Sequence, residues 1–209
     1  ALLLYGMVWV YGLTGTTDVA EIFHSIEGMS RQNGDLSNTA FGNYGLLLGV
    51  ILIVAGFGFK ISSVPFHMWV PDVYQGAPTP ITAFLSVASK AAGFAVILRV
   101  FYGSFSSESL SIEWSMIFAI MAVLSMAIGN FVAISQKNIK RLLAYSTIAH
   151  AGYIMMGLTV VSSRMDDFTL AGPGGVVFYL IGYAATNLAA FVAVIAISNK
   201  TGSDLIEDF

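Results

Sequence analysis

The side chains best suited to acid–base chemistry in this sequence are ionisable residues inside long apolar stretches. Lys90 lies close to the midpoint of the apolar run from Ile81 to Leu98. If this run crosses a bilayer, a charge at its centre costs from about 3 to more than 10 kcal/mol. Thr82 and Ser86 precede Lys90 at intervals of four and share its helix face. We expect that face to look into a helix bundle or a hydrated cavity. The alternative is a lysine that only anchors helix packing.

A second lysine, Lys60, ends the apolar run from Leu46 to Phe59. By position alone it could be an end residue whose ammonium reaches the membrane surface. Only a few residues separate it, however, from another apolar and aromatic stretch, Val64 to Val70. Pro65 removes an amide donor and pushes the residue before it out of the helical region. The pattern therefore predicts two half-helices in place of one continuous helix.

We interpret residues 44–75 as one membrane crossing that is broken at 61–65. Broken helices persist at membrane depth where their freed backbone groups face protein or water, and transporters use them to hold ions near the midplane. Lys60 at such a break would be hydrated and able to change its protonation state. His67 lies in the same region. It could relay protons, or it could make a structural hydrogen bond to the freed backbone.

His150 is the third candidate for proton transfer. It follows Arg141 by nine residues, which is about 13 Å along a helix and hence near mid-membrane. Ser146 and Tyr153 share its helix face. Histidine titrates near neutral pH and can relay a proton through either ring nitrogen. A packing histidine is the alternative interpretation.

Another polar series recurs at intervals of four in the last apolar stretch, at Tyr179, Tyr183 and Asn187. Polar side chains at this spacing more often join neighbouring helices by hydrogen bonds than form a conducting path. We expect an interhelical contact here.

The composition places these residues in a membrane protein. Of 209 residues, 56% are hydrophobic and 10% are charged, whereas a soluble domain carries roughly 25% charged residues. A helix needs about 20 apolar residues to cross the hydrocarbon core. The predicted fold is an all-α polytopic transmembrane bundle in one membrane domain, 1–209, and we expect both ends to lie inside a longer protein. Its predicted segments are a truncated helix at 1–13 and crossings at 44–75, 79–101, 114–135, 142–161 and 175–198.

Several function classes are excluded. The sequence has no cysteine, so it has neither disulfides nor the thiolates that iron–sulfur clusters require. No cluster of histidines and carboxylates has metal-ligand spacing, and the net charge of −3 offers no basic stripe for nucleic acid. We therefore expect no metal or cofactor in this chain itself. The apolar runs also contain no acidic residue. Either the lysines in them are partly neutral, because burial lowers the pKa of a lysine, or their counter-charge lies on a helix outside this chain or on another subunit.

Positive residues near helix ends favour the cytoplasmic side. The loop 136–141 carries Lys137, Lys140 and Arg141, and Lys200 falls on the same side. The opposite side carries Arg31, Arg99 and Arg164. The bias is small, and the tight loop accounts for most of it. We expect this loop to be cytoplasmic.

Two blocks of sequence are similar to a known family. Residues 58–80 read GFKISSVPFHMWVPDVYQGAPTP, and residues 86–90 read SVASK. These segments resemble those of the antiporter-like subunits of NADH-quinone oxidoreductase (respiratory complex I), and of the subunit N group in particular. Further matches are NIKRLLAYS at 138–146 and AHAGY at 149–153.

The resemblance implies a fold of 14 transmembrane helices with two inverted repeats, each containing one discontinuous helix. This chain would supply the end of the sixth helix through the eleventh. By matching motif, Lys60 and Lys90 fall on the two lysines regarded as parts of the proton path. The glutamate that pairs with the first lysine would lie upstream of Ala1, and the terminal lysine would follow Phe209. The implied topology also places the loop at 137–141 on the cytoplasmic side.

The resemblance further implies a proton-translocating subunit of a translocase. NADH, flavin, iron–sulfur clusters and quinone would be held by partner subunits. Other complex I membrane subunits would be the partners, and a bacterial plasma membrane the location. The alternatives are a subunit of a related cation/proton antiporter or membrane-bound hydrogenase, and a structural membrane subunit that does not conduct.

Overall fold

The computed structural model describes residues 1–32, 40–160 and 171–209, and within these ranges it contains helices and no strand. The predicted all-α class is confirmed. A wide π-helical turn at Leu85–Ser89 joins the fifth helix to the sixth, and a 3-10 turn, Ile206–Asp208, lies near the end of the chain. The helices are α1 Leu2–Thr14, α2 Val19–Gln32, α3 Ala40–Ile61, α4 Trp69–Gly76, α5 Thr79–Phe84, α6 Lys90–Gly103, α7 Glu108–Ile134, α8 Ile139–Thr159 and α9 Ala171–Thr201.

Within the described ranges, four helical segments are long and apolar enough to cross a membrane. They are Tyr44–Ile61, Thr79–Gly103, Leu110–Ile134 and Ala171–Thr201. The fold is therefore a polytopic transmembrane helix bundle.

Three of the predicted crossings need comment. The crossing at 142–161 falls on α8, whose polar side chains lower its hydropathy below that of the four segments, and it stays a prediction. Helices α7 and α9 begin at Glu108 and Ala171, before the predicted starts at 114 and 175. The residues that precede each apolar run are also helical. Arg164 lies outside the described residues.

The described chain forms two compact units, and the first contains residues 1–57 and 95–117. In it, α1 approaches α3 at glycines: a Cβ at Gly6 would lie 2.7 Å from the carbonyl oxygen of Gly49. Small residues allow membrane helices to pack this closely. The indole of Trp114 donates to the carbonyl of Phe105 over 2.8 Å. The assignment of 1–209 to one domain stays a prediction.

The second unit contains residues 58–94 and 118–209 and includes the interrupted helix. Its core is built on α4, α8 and α9, with Val70, Tyr74, Ile148 and Phe191 buried among the residues that meet there. Helix α7 approaches α8 at a glycine, because a Cβ at Gly129 would lie 2.7 Å from the amide nitrogen of Ala149. This unit contains all the candidate site residues.

One end of α8 is fixed by polar contacts. The side chain of Asn138 accepts hydrogen bonds from the amides of Lys140 and Arg141 and so caps the helix. The ammonium of Lys140 pairs with Asp204 at 2.9 Å, and the guanidinium of Arg141 pairs with Asp72 of α4 at 2.7 Å. The basic residues used to predict the membrane orientation therefore also hold neighbouring segments together.

Candidate functional site

The interruption between α3 and α4 covers residues 62–68, which extends beyond the predicted 61–65. Ser62 ends α3 with a φ of 65°, a left-handed conformation that is uncommon for a residue with a side chain. The amides of Phe66 and Val70 then bond to carbonyls three residues back, those of Ser63 and His67. These tight turns delay the start of the second half-helix.

Two carbonyls in the last turn of α3 accept hydrogen bonds from residues that follow the helix. The amide and the hydroxyl of Ser63 both donate to the carbonyl of Gly58, at 2.9 and 3.2 Å. The indole of Trp69 donates to the carbonyl of Phe59 over 3.2 Å. Buried backbone groups need such partners, so these contacts stabilise the break.

Lys60 lies in the last turn of α3 and its side chain is exposed. Its stem passes α6, because a Cβ at Gly93 would lie 3.6 Å from Cγ of Lys60. Among the residues that the structure describes, its ammonium has no acidic partner. Lys60 is thus placed beside the break, and its part in proton transfer stays a prediction.

His67 and Pro65 lie inside the interruption. His67 is buried, and its Nδ1 atom has no hydrogen-bond partner in the described part of the chain. Pro65 is exposed. The backbone of Pro65 nevertheless forms a hydrogen bond with the histidine ring, so a structural bond within the interruption stays the alternative to a relay. A relay role for this histidine stays a prediction.

Lys90 is the most deeply buried charged side chain in the described ranges, with 1% of its surface exposed. It begins α6 after the π-helical turn, and its ammonium donates a hydrogen bond to the carbonyl of Thr147 on α8. Thr147 is itself fully buried, and its hydroxyl donates to the carbonyl of Leu143 over 2.7 Å. The ammonium is thus held by a neutral oxygen in the interior of the unit.

The predicted polar face of Thr82, Ser86 and Lys90 is buried in full. Asn187 of α9 donates to the hydroxyl oxygen of Ser86 over 2.6 Å. The hydroxyl of Tyr183 lies 3.2 Å from the carbonyl of Ser86 and 3.3 Å from the hydroxyl of Thr147, and can donate to one of them at a time. The polar series of α9 therefore joins the two helices that hold Lys90 and its acceptor.

His150 lies one helical turn beyond Thr147 on α8 and is half-buried. Its Nδ1 is 2.8 Å from the hydroxyl of Tyr179. Its ring contacts that of Tyr183, with centroids 5.2 Å apart. It also meets the ring of Tyr153 edge-on, at 5.5 Å. The structure thus brings His150 next to the tyrosine that borders Thr147.

Ser146 and Tyr153, the other members of the predicted α8 face, behave differently from each other. The hydroxyl of Tyr153 accepts a hydrogen bond from the side-chain amide of Asn130 on α7, at 2.9 Å. Ser146 is half-buried. It makes no side-chain hydrogen bond within the described ranges. The structure thus joins Tyr153 to α7 and leaves Ser146 outside the network.

Sequence reasoning missed Thr147, Ser125 and Asn130. Each is a neutral polar residue in an apolar run, and such residues are common in membrane helices. Thr147 precedes His150 by three positions on the same helix. This spacing places the two residues on one face, and it could have pointed to Thr147. In the described residues there is no group of three or more potential metal ligands.

Comparisons with known proteins place this chain in a family. Residues 1–209 match the family described as NADH:quinone oxidoreductase/Mrp antiporter, TM. NADH-quinone oxidoreductase subunit N of Desulforamulus reducens is 51% identical over 209 residues, which cover 100% of this chain and 40% of that protein. The chain thus spans about two fifths of the length of this curated relative.

Solved structures give the same fold. A chain of the archaeal membrane-bound sulfane sulfur reductase, a respiratory membrane complex, has a TM-score of 0.81 and 27% identity over 100% of this chain and 39% of its own length. A chain of respiratory complex I from Thermus thermophilus has a TM-score of 0.67 and 34% identity over 94% of this chain and 36% of its own. The resemblance seen in the sequence is confirmed. The chain belongs to the NADH:quinone oxidoreductase/Mrp antiporter transmembrane family.

Proposed function

We propose that this chain is the central part of an NADH-quinone oxidoreductase subunit N, and that Lys60 and Lys90 carry protons through it. The observation that supports this most directly is the surroundings of Lys90. Its ammonium is buried, it bonds to the carbonyl of Thr147, and hydroxyl and amide groups line the same region. A membrane interior holds such a group at a cost, so a functional role is favoured over packing.

A lysine held by neutral oxygens can gain or lose its proton when the local electrostatics change. At an effective dielectric constant of 20, a carboxylate 4 Å from an ammonium interacts with it by about 4 kcal/mol. A movement of such a carboxylate in a partner segment would change which protonation state is favoured. Lysine suits this task because its pKa moves readily, whereas an arginine stays charged.

The route beyond Lys90 runs along α8 and α9 in this proposal. Thr147 and Tyr183 carry hydroxyls within 3.3 Å of each other. The ring of Tyr183 lies against His150, which is 2.8 Å from the hydroxyl of Tyr179. Hydroxyl groups and an imidazole can pass protons along such a series. His150 is therefore the proposed intermediate between Lys90 and groups beyond this chain.

The proposal assigns the redox chemistry to partner subunits. NADH, flavin, iron–sulfur clusters and quinone would be bound there, and conformational change or charge movement would be passed to this membrane subunit. Related proteins are subunits of a bacterial respiratory enzyme, which favours the bacterial plasma membrane. The loop 136–141 would face the cytoplasm.

A related respiratory membrane complex is the second candidate. Its support is the archaeal sulfane sulfur reductase, whose chain has a TM-score of 0.81, above the 0.67 of the complex I chain. The higher sequence identity to complex I, 34% against 27%, favours the first candidate. The electron donor that supports turnover in isolated membranes separates the two, because NADH oxidation is expected only of the first.

The test of the proposal is proton pumping by membrane vesicles driven by NADH, with Lys60→Ala introduced into the full-length subunit. Lost pumping with intact assembly is expected. Pumping at the wild-type rate would indicate that Lys60 is a helix-end residue whose ammonium reaches the membrane surface. If Lys90→Met also pumped normally, the chain would be a structural membrane subunit.

A further inference from the structure

The interruption between α3 and α4 leaves one backbone amide that is satisfied by a side chain of another helix. The amide of Val64 donates to the hydroxyl oxygen of Ser125 on α7, over 2.9 Å and 61 residues of sequence. The next residue, Pro65, has no amide hydrogen to offer. The neighbouring amide of Ser63 bonds to the carbonyl of Gly58 in α3, and that of Phe66 bonds to the carbonyl of Ser63. Ser125 of α7 thus holds the backbone turn at Val64 from outside the interruption.

The surroundings of Ser125 leave little freedom for the turn to move. Ser125 and Val64 are buried, with 0% and 3% of their surfaces exposed. A Cβ at Gly58 would lie 2.9 Å from the terminal methyl of Met121, one helical turn before Ser125, and 2.8 Å from the ring of Phe66. Helix α7 therefore packs directly against the break. A buried amide without a partner is unfavourable at membrane depth, so the bond fixes the turn.

We propose that Ser125 is a positioning residue for Lys60, a role that rests on the proposed function. Lys60 lies four residues before Val64, at the end of the helix that the interruption terminates. Ser62, between them, has a φ of 65°, a conformation that persists when surrounding contacts enforce it. The hydroxyl of Ser125 enforces it by holding the amide of Val64. Ser125 thereby determines the position of the Lys60 ammonium, and it takes no part in proton transfer itself.

The test compares Ser125→Ala with Ser135→Ala in the full-length subunit. The control, Ser135, is an exposed residue directly after the end of α7, and its hydroxyl donates to the carbonyl of Val132 in that helix. We expect Ser125→Ala to lower NADH-driven pumping about 3- to 10-fold, the equilibrium factor that corresponds to the free energy of one interhelical hydrogen bond, and to shift its pH profile. Ser135→Ala should match the wild type. Ser125→Thr keeps the hydroxyl and should restore the profile.

A second measurement reports position directly and needs no pumping. Because this chain has no cysteine, Lys60→Cys in an otherwise cysteine-free subunit can be labelled with a small water-soluble methanethiosulfonate in membranes. Adding Ser125→Ala should change the labelling rate several-fold, and adding Ser135→Ala should not. An unchanged rate together with an unchanged pH profile would overturn the proposal. If Lys60→Ala pumps normally while the labelling rate changes, the proposed function fails and the positioning role stands.

Discussion

The ammonium of Lys90 on α6 bonds to the backbone carbonyl of Thr147 on α8, 57 residues further along the chain. A carbonyl accepts a hydrogen bond without carrying charge, so it stabilises the ammonium less than a carboxylate would. The pair thus places a titratable group inside the bundle without locking it as an ion pair.

Lys90→Met should reduce NADH-driven pumping about tenfold or more in the full-length protein, because it removes the titratable group while keeping the length of the side chain. Lys90→Arg should also fail, since arginine cannot release its proton. The measurement is proton uptake by vesicles at equal content of assembled complex. Lys200→Met, at an exposed lysine in the last turn of α9, is the control and should pump normally. Wild-type pumping by Lys90→Met would sink the proton-transfer role.

Tyr183→Phe should destabilise the bundle by about 0.6 to 1.7 kcal/mol, from the average to the largest value for interhelical hydrogen bonds measured in a membrane protein. The substitution removes the hydroxyl that lies within 3.3 Å of acceptors on Ser86 and Thr147. Thermal unfolding of the purified full-length subunit measures the change. Tyr5→Phe, on an exposed position of α1, should have no effect. Equal melting temperatures for both variants would show that the Tyr183 hydroxyl contributes nothing.

Asp72→Asn should lower stability by at most about 1 kcal/mol, because exposed ion pairs contribute little. Asp72 pairs with Arg141 at 2.7 Å, but 75% of the Asp72 side chain is exposed to solvent. A double-mutant cycle with Arg141→Gln, read by thermal unfolding at low and high salt, isolates the pair. A coupling energy above about 2 kcal/mol that does not change with salt concentration would contradict this view of the contact.

Asp204 should give stability a pH dependence on the acidic side. Partial burial of its carboxyl acts to raise the pKa, but hydrogen bonds from Lys140 and Ser198 outweigh burial and hold the pKa below its ordinary value. The native state therefore favours the carboxylate. The resulting stability is present above the unfolded pKa and is lost as pH falls through the folded one.

The measurement for Asp204 is the stability difference between wild type and Asp204→Asn along an acid titration. The difference should be largest above about pH 5 and shrink below about pH 4, where the unfolded carboxyl binds its proton. A difference that grows on acidification would mean that the pair with Lys140 does not stabilise the folded state.

Gly129→Val should destabilise the contact between α7 and α8 by about 1 to 3 kcal/mol, as expected for overpacking. A Cβ at Gly129 would lie 2.7 Å from the backbone nitrogen of Ala149, and backbone cannot move aside as a flexible side chain can. Gly182→Val is the matched helical control, since a Cβ at Gly182 meets nothing within 4 Å. Thermal unfolding should separate the two variants. Equal melting temperatures would show that α7 and α8 separate without cost.

The sequence by itself determined the helical class, the membrane setting and the break near Pro65. These follow from local causes: runs of apolar residues long enough to cross a bilayer, and a proline that cannot donate a backbone hydrogen bond. It also singled out Lys90, because a charge in the middle of an apolar run is visible without knowledge of any partner.

Only the tertiary structure decided which groups these residues meet. The acceptor of Lys90 is a backbone carbonyl, which every residue has, so no side-chain pattern could point to Thr147. Ser125, which bonds to the amide of Val64, looks in the sequence like any other serine in an apolar helix. Its role depends on which side of α7 faces Val64. Such contacts depend on how helices far apart in sequence turn and pack against each other, and the local pattern of residues does not record that arrangement.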